Sequence, residues 1–139
     1  MSGAAKRDTA VAERRATTPE ASADLARRIA TIVDDKKGED IVCLDVRELV
    51  SYTDYFVIAT ARNERQAKAI YDEVHLRLKK EHGLLPARVE GEGEARWVLA
   101  DYIDCVLHVF VSELRERYRL EKLWGDAQPL ELGLEGAGA

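Results

Sequence analysis

Cys105-Val106-Leu107-His108-Val109-Phe110-Val111 is the stretch of sequence that decides the fold. A short run with apolar, branched or aromatic side chains at almost every position is typical of a strand that is buried on both faces. Because side chains alternate along a strand, Val106 and Phe110 point to one face, whereas Leu107 and Val109 point to the other. We therefore predict that residues 105–111 form the central strand of a sheet.

Three further strands are predicted on the N-terminal side of this central strand. Two branched, apolar runs, Ile41 to Val46 and Tyr55 to Ala61, are joined by a polar link, and we expect them to pair. The third run, Trp97 to Leu99, follows the acidic segment Glu90-Gly91-Glu92-Gly93-Glu94. Its glycines and like charges are typical of a mobile loop or the tip of a hairpin.

The segment after the second strand has the clearest helical pattern. Asn63, with Gln66 three residues later, resembles a capping box, in which side chains satisfy free amides of the first turn. Gly83 is expected to end this helix, and Pro86 prevents its continuation. The apolar positions at helical spacing are Ala67, Ile70, Tyr71, Val74 and Leu78.

Two other helices are predicted near the ends of the chain. The first begins at Thr18-Pro19 and ends at Lys36-Lys37-Gly38, where glycine permits a left-handed exit. Ser112 caps a short last helix that carries Leu114 and Tyr118. Three apolar side chains beyond it are expected to fold back on the core: Leu120, Leu123 and Trp124.

The predicted order of elements is helix, strand, strand, helix, strand, strand, helix. The helix between the second and third strands is long enough for a right-handed crossover, so a mixed sheet with helices packed on it is expected. We therefore predict a layered α/β (α+β) domain over residues 18–125. Residues 1–17 are predicted to be a flexible N-terminal tail, and residues 126–139 a flexible C-terminal tail.

Length and composition limit the class of protein. The 139 residues, of which 46% are hydrophobic, suffice for one domain with one core. No stretch approaches the roughly 20 apolar residues of a membrane span, and the N-terminus lacks the apolar core of a signal peptide. We therefore expect a cytoplasmic protein without membrane contact. Cys43 and Cys105 lie in apolar runs and indicate neither a disulfide nor a zinc site.

The net charge of -5 argues against nucleic-acid binding that is driven by long-range attraction. Two local groups of cations leave a contact with RNA open. A solvated helix face is the preferred interpretation of both groups, because the cations alternate with acids or apolar residues. These cations are Arg77, Lys79, Lys80, Arg115, Arg117 and Arg119.

Carboxylates at predicted strand ends are the serious candidates for catalysis, because paired acids can hold magnesium for phosphoryl or nucleotidyl transfer. They are Asp45, Asp54, Asp101 and Asp104. Such enzymes also need a loop that grips the triphosphate, and Glu90-Gly91-Glu92-Gly93 carries acids where a phosphate cradle needs amides and a lysine. The preferred interpretation is turn-forming Asp residues that bond their own backbone, so no catalytic residue is assigned.

The histidines indicate no metal site. His75 and His82 lie two turns apart on one predicted helix, too distant to share a metal without other ligands. His108 is interpreted as a histidine of the core or the sheet face rather than as a general base. Cys105 points to the opposite face of that strand, which argues against a Cys-His couple. We predict neither a metal nor a cofactor.

Trp97 is the remaining candidate for function. Arg96, Asp101 and Tyr102 accompany it, and this mixture of aromatic and charged groups is typical of a protein-binding hot spot. A tryptophan of the core is an equally good interpretation, and the residues alone do not decide between the two.

Several separate motifs together resemble those of the Iojap/YbeB family of ribosomal silencing factors. They lie in the order and spacing of the family, over about residues 20–127. The motifs are Asp54–Thr60, Glu90-Gly91, Trp97–Tyr102, His108-Val109-Phe110 and Tyr118–Trp124. The resemblance implies a nucleotidyltransferase-like fold without the catalytic signature of that superfamily, and hence a protein that is not an enzyme.

The function that this resemblance implies is steric repression of translation. Members of the family bind the fourteenth protein of the large ribosomal subunit, on the face that meets the small subunit. They block subunit joining when nutrients are scarce, and members also form a homodimer. The alternative, from a different class, is a nucleotidyl- or phosphoryl-transferase that uses Asp45, Asp101 or Asp104.

The resemblance also implies a partner-binding site. Carried over by motif, its positions are Trp97, Leu99, Asp101, Tyr102, Glu90 and Gly91. An aromatic anchor with acidic neighbours suits a basic ribosomal protein. The chain departs from the family at Ile103, where a glycine is usual. A branched residue tolerates positive φ poorly, so we expect the turn before the last strand to differ.

Overall fold

The computed structural model describes residues 19–118, 125 and 127–134. This part of the chain contains three helices and six strands. The helices are α1 (Pro19–Asp35), α2 (Glu64–His82) and α3 (Ser112–Tyr118). The strands are β1 (Glu39–Asp45), β2 (Tyr55–Ala61), β3 (Arg88–Glu90), β4 (Trp97–Asp101), β5 (Cys105–Val111) and β6 (Gln128–Pro129).

The strands form one mixed sheet in the order β3-β4-β5-β2-β1-β6. β5 lies between β4, to which it is antiparallel, and β2, to which it is parallel. β1 pairs with β2 in the antiparallel sense, as expected. Every residue of β5 is buried, so the predicted mixed sheet and the interior position of residues 105–111 are both confirmed.

The two faces of the sheet are covered differently. α1 and α2 pack on one face and form the larger core with alternate side chains of the strands. On β5, the side chains of this helix-covered core are Cys105, Leu107 and Val109. The other face carries a smaller apolar cluster with Leu114 of the short α3 packed beside it. Since full burial of a large apolar side chain contributes about 1.5–3 kcal/mol, the helix-covered core supplies most of the hydrophobic stabilisation.

α2 begins and ends as its sequence predicts. The Asn63 Oδ1 accepts a hydrogen bond from the Gln66 amide at 2.8 Å, and the Gln66 Oε1 accepts one from the Arg62 amide at 2.7 Å. At the other end, Gly83 adopts a left-handed conformation with φ of 61°. The Gln66 Nε2 also donates to the Lys37 carbonyl at 2.9 Å, which ties the start of α2 to the end of α1.

The end of α1 differs from its prediction in one residue. Lys37, not Gly38, takes the left-handed conformation, with φ of 66°. Gly38 is required for a different reason, because a Cβ at this position would press on the Val33 side chain. The amide of Gly38 donates to the Val33 carbonyl at 2.9 Å and closes the helix. The predicted cap at Thr18 lies outside the described residues.

Two short strands were not expected. β3 includes Glu90 and forms a hairpin with β4, so the acidic segment behind it is the tip of that hairpin. β6 pairs with β1, and the Leu130 amide donates to the Cys43 carbonyl at 2.8 Å. Residues 128–130, which the sequence assigned to a flexible tail, therefore bond to β1, and Leu132 and Leu134 pack against the helix-covered core. The predicted contacts of Leu120, Leu123 and Trp124 fall outside the described residues.

Candidate binding face around Trp97

The sheet face opposite α1 and α2 brings together most of the residues that the sequence singled out. We call it the Trp97 face. Strand register places Trp97 beside Phe110, Leu99 beside His108 and Asp101 beside Val106. The next strand adds its own alternate residues, since His108 pairs with Ile58 and Val106 with Phe56. The members of the face are Trp97, Leu99, Asp101, Val106, His108, Phe110, Phe56 and Ile58.

Trp97 is half-buried, so it is neither a fully buried core tryptophan nor a freely exposed one. Its ring packs against Phe110, with ring centroids 4.6 Å apart. Its indole Nε1 donates a hydrogen bond to His108 Nδ1 at 3.2 Å. Leu99, two residues further along β4, is also half-buried. The contacts hold the indole in one orientation while part of its surface, with that of Leu99, stays accessible.

His108 is the buried partner of Trp97. Burial lowers the pKa of His108 to about 4, against a smaller opposing effect of Asp101. The imidazole is therefore neutral at pH 7, and Phe56 packs edge-on against it at 5.0 Å between ring centroids. Sequence analysis placed His108 on this face but missed its bond to Trp97. That bond depends on the register between β4 and β5, which the sequence pattern does not specify.

A pocket of about 310 Å³ opens on the Trp97 face next to His108. Its lining residues are Tyr52, Phe56, Arg88, Leu99, Asp101, Val106 and His108. Tyr52 is 44% exposed at the rim, and the Arg88 guanidinium lies 2.9 Å from the Glu90 carboxylate. Sequence reasoning overlooked Tyr52 and Arg88, since neither belongs to a recognisable pattern. The pocket thus combines apolar side chains with two buried polar residues, Asp101 and His108.

Asp101 is buried and holds the turn between β4 and β5. Its Oδ1 accepts a hydrogen bond from the Ile103 amide at 2.8 Å. Ile103 adopts the left-handed conformation, with φ of 73°, which for L residues costs about 1–2 kcal/mol. The Tyr102 amide donates to the Cys105 carbonyl at 2.9 Å. The branched residue is thus held in a conformation that suits glycine better.

Tyr102 does not lie with the other predicted site residues. Its side chain is fully buried in the helix-covered core, on the far side of the sheet from Trp97. Burial raises the pKa of its hydroxyl well above the usual range. Its side chain offers no accessible surface to a partner, which corrects its place among the predicted contact residues. The resemblance placed it in the interface by motif alone, without the alternation that turns Tyr102 away.

Glu90 and Gly91 support the strand that carries Trp97. Glu90 pairs with Leu99 across the hairpin and is exposed. Gly91 has a φ of 78°, and a Cβ there would overlap the carbonyl oxygen of Trp97. Glycine is therefore required at residue 91 so that the hairpin tip can approach the β4 backbone.

Two of the carboxylates considered as catalytic candidates have structural contacts: that of Asp45 bonds Arg47, and that of Asp101 bonds the Ile103 amide. Asp45 forms an ion pair with Arg47 at 2.6 Å, and this hydrogen-bonded contact lowers the pKa of Asp45. The carbonyl of Asp104 accepts hydrogen bonds from the amides of Asp54 and Tyr55, each at 3.2 Å. Within the described residues, no group of three or more His, Cys, Asp or Glu side chains is arranged to hold a metal ion. The transferase alternative therefore gains no support.

The cysteines are buried, as predicted. Burial raises the pKa of Cys43 to about 12, and it raises that of Cys105 as well. Neither thiol is therefore a nucleophile at neutral pH.

Two of the cations considered for RNA binding have structural contacts. Arg77 bonds Glu73 at 2.6 Å and Asp35 at 2.7 Å. Arg115 is buried and donates to the Thr60 hydroxyl at 2.9 Å. Lys79 and Lys80 are exposed, while the side chains of Arg117 and Arg119 lie outside the described part.

Across residues 19–118 and 127–134, no helix has the length and apolar character needed to cross a membrane.

Known proteins are similar to this chain in sequence. A family described as "Ribosomal silencing factor during starvation" matches residues 19–137. The ribosomal silencing factor of Bacillus subtilis is 43% identical over 74% of this chain and 86% of its own length. A mouse protein named for mitochondrial assembly of the ribosomal large subunit is 29% identical over 69% of this chain and 43% of its own length.

A solved structure agrees with this family assignment. The crystal structure of a Chromobacterium violaceum protein superimposes with a TM-score of 0.69 at 33% identity, over 88% of this chain and 98% of that chain. The family match covers the helix-covered core and the Trp97 face alike. The chain therefore belongs to the family of ribosomal silencing factors.

Proposed function

We propose that the chain represses translation by binding the large ribosomal subunit through the Trp97 face. The surface contacted is the fourteenth protein of that subunit, where the bound domain sterically blocks joining with the small subunit when nutrients are limited. Family membership supports the silencing role. The name of the mouse relative supports the choice of the large subunit. A role on bacterial ribosomes implies a cytoplasmic location.

The observation that carries this proposal is the half-buried Trp97 on an apolar sheet face. Tryptophan is enriched among the few residues that dominate binding energy, and such residues lie in well-packed surroundings. Trp97 meets both conditions, because Phe110 and His108 fix its ring while part of it stays accessible. Leu99 extends the apolar contact next to it.

Charge complements this apolar contact. The chain carries a net charge of -5, and Glu90 is exposed beside the Trp97 face, with Glu92 and Glu94 at the hairpin tip. Since Glu90 is paired with Arg88, the net negative charge and the exposed acids of the hairpin tip supply the complementarity, which accelerates docking on a basic ribosomal protein and disfavours bare RNA phosphate. Contact with ribosomal RNA is therefore not part of the proposal. The homodimer implied by family resemblance stays a prediction.

Sedimentation of ribosomal subunits tests the proposal. Added wild-type protein should reduce the fraction of joined ribosomes, and Trp97→Ala should restore it, since loss of a central tryptophan weakens binding by about 2 kcal/mol or more, roughly 30-fold. Leu76→Ala is the matched control, because Leu76 is 49% exposed on α2, which packs on the opposite sheet face. Subunit joining that is unaffected by the wild-type protein would sink the proposal.

A further inference from the structure

We infer that His108 determines the specificity of the Trp97 face by donating a hydrogen bond from Nε2 to an uncharged oxygen of the protein partner. The acceptor is a main-chain carbonyl or a side-chain amide oxygen that enters the pocket beside Leu99 and Phe56. This inference rests on the proposed function and concerns the same surface.

The position of the imidazole proton follows from Trp97. An indole N–H only donates, so the Nδ1 atom of His108, 3.2 Å from Trp97 Nε1, must accept. A neutral imidazole has one donor and one acceptor nitrogen. The proton of His108 therefore resides on Nε2, and Trp97 fixes this tautomer.

Nε2 is buried and has no hydrogen-bond partner within the described part of the chain. Most buried polar atoms of native proteins are hydrogen-bonded, and a buried donor left without a partner destabilises the fold. His108 is 6% exposed and lines the pocket of about 310 Å³. An unpartnered donor on a residue that lines a pocket of this size is a candidate for a hydrogen bond to a group that arrives from outside.

The pocket selects the chemistry of that group. A cation has no lone pair with which to accept from Nε2–H. A carboxylate would meet the carboxyl group of Asp101, which lines the same pocket and is 1% exposed, while Arg88 in that lining is already paired with Glu90 at 2.9 Å. An uncharged carbonyl avoids both conflicts, and the apolar walls formed by Phe56, Leu99 and Val106 strengthen its hydrogen bond by excluding water.

Substitutions of His108 separate a contact with the partner from a purely structural role. In His108→Gln, the terminal amide N–H reaches the position of Nε2, so a donor to the partner is kept. In His108→Asn, the shorter side chain reaches only the position of Nδ1, so the acceptor for Trp97 is kept. Circular dichroism checks that both variants fold, and calorimetry measures their affinity for the purified fourteenth protein of the large subunit.

We expect His108→Asn to bind about tenfold more weakly than His108→Gln, which is the effect of one net hydrogen bond. If the only task of His108 were to hold Trp97, the order would be reversed, with His108→Asn the tighter binder. Equal affinities, or that reversed order, would overturn the inference.

NMR of the ¹⁵N-labelled wild-type protein gives a second readout that needs no substitution. On addition of the fourteenth protein, the Hε2 proton of His108 should shift and become protected from exchange, and Trp97 Hε1 should report docking. A shift of Trp97 without one of His108 overturns the inference but leaves the proposed function standing. If neither resonance shifts at saturating partner, both fall.

Discussion

Trp97 and His108 form a hydrogen-bonded pair in which each residue determines the tautomer or the orientation of the other. The indole bond fixes the tautomer of His108, and His108 fixes the plane of the indole at 3.2 Å between nitrogen atoms. Burial disfavours the charged imidazolium and so keeps the ring neutral. The neutral ring leaves Nδ1 free to accept the hydrogen bond from Trp97. The hydrogen bond between Trp97 and His108 therefore affects both the stability of the fold and the orientation of Trp97 on the Trp97 face.

Acidification should destabilise the protein through His108. Its folded pKa of about 4 lies below the ordinary value of 6.5, so the unfolded chain takes up the proton first as the pH falls. The contribution of neutral His108 to the free energy of unfolding is fully present above pH 6.5. It is lost as the pH falls towards 4, by up to about 3 kcal/mol. Urea unfolding at a series of pH values measures this slope. His108→Gln should flatten it, whereas an unchanged slope in that variant would contradict the assignment.

Ile103 allows a test of backbone conformation with two matched variants. Ile103→Ala removes a side chain that is 4% exposed, and should lower the free energy of unfolding by about 2–4 kcal/mol. Ile103→Gly removes the same side chain and also the Cβ that disfavours a φ of 73°. We expect the glycine variant to be the more stable of the two by about 1 kcal/mol. In an ordinary right-handed or extended residue, alanine would be the better replacement.

Among the elements, the hairpin β3–β4 decides how Trp97 is presented. Its tip approaches the β4 backbone so closely that only glycine fits at residue 91. Arg88 and Glu90 form an ion pair along β3, and Arg88 also lines the pocket. The short strand β3 therefore serves the binding face more than it serves the core.

Gly91→Ala should distort this hairpin, whereas Gly93→Ala should not. At Gly91 the added Cβ would overlap the carbonyl oxygen of Trp97 and would meet a positive φ, so we expect a loss of about 2 kcal/mol or more. At Gly93 the added Cβ meets nothing within 4 Å. Thermal unfolding measures both effects, and Trp97 fluorescence in a Trp124→Phe background reports whether the indole has moved. Similar behaviour of the two variants would show that the close approach is not required.

The elements that the sequence predicts correctly are those with a long or strongly apolar pattern. β2 and β5 have every residue buried, and α2 carries both of its end signals, so local pattern and tertiary structure agree. β3 has a mostly exposed pattern and β6 has two exposed residues, so neither has the apolar pattern from which a strand is predicted. The bond between His108 and Trp97 could not be predicted, because strand register, which no local pattern encodes, decides which residues of β4 lie beside His108. Tyr102 was misplaced because it was assigned by motif, without the alternation of side chains.

At the scale of the whole molecule, the proposed function assigns recognition to one face of the sheet, while the other face holds the larger core. The face under α1 and α2 contains the larger core, while the Trp97 face has the short α3 and the half-buried Trp97 and Leu99. Substitutions on the Trp97 face can therefore weaken binding without removing the main core. This division suits a protein that acts through an occupied surface, since its fold must persist whether or not the partner is bound.

The segment 127–134 lies at the opposite edge of the sheet, beside β1. Leu130, Leu132 and Leu134 pack against the helix-covered core, and β6 covers part of the outer edge of β1. A chain that ends at residue 126 would lose these partly buried leucines, at about 1 kcal/mol each, and would bare the edge of β1. We expect thermal unfolding to show a free energy of unfolding that is lower by about 3 kcal/mol. Because an unpaired strand edge recruits other strands, we also expect sedimentation to show self-association.

A chain that ends at Leu134 is the matched control, because it keeps the whole segment along β1. It should match the full-length protein in stability and in sedimentation. Both truncated chains keep Trp97 and its neighbours, so subunit joining should still be blocked by any monomer that remains folded. If the chain that ends at residue 126 were as stable and as monomeric as the control, residues 127–134 would contribute nothing to the fold. The pairing of β6 with β1 would then have no energetic role, and the flexible tail predicted from residue 126 would describe the protein better.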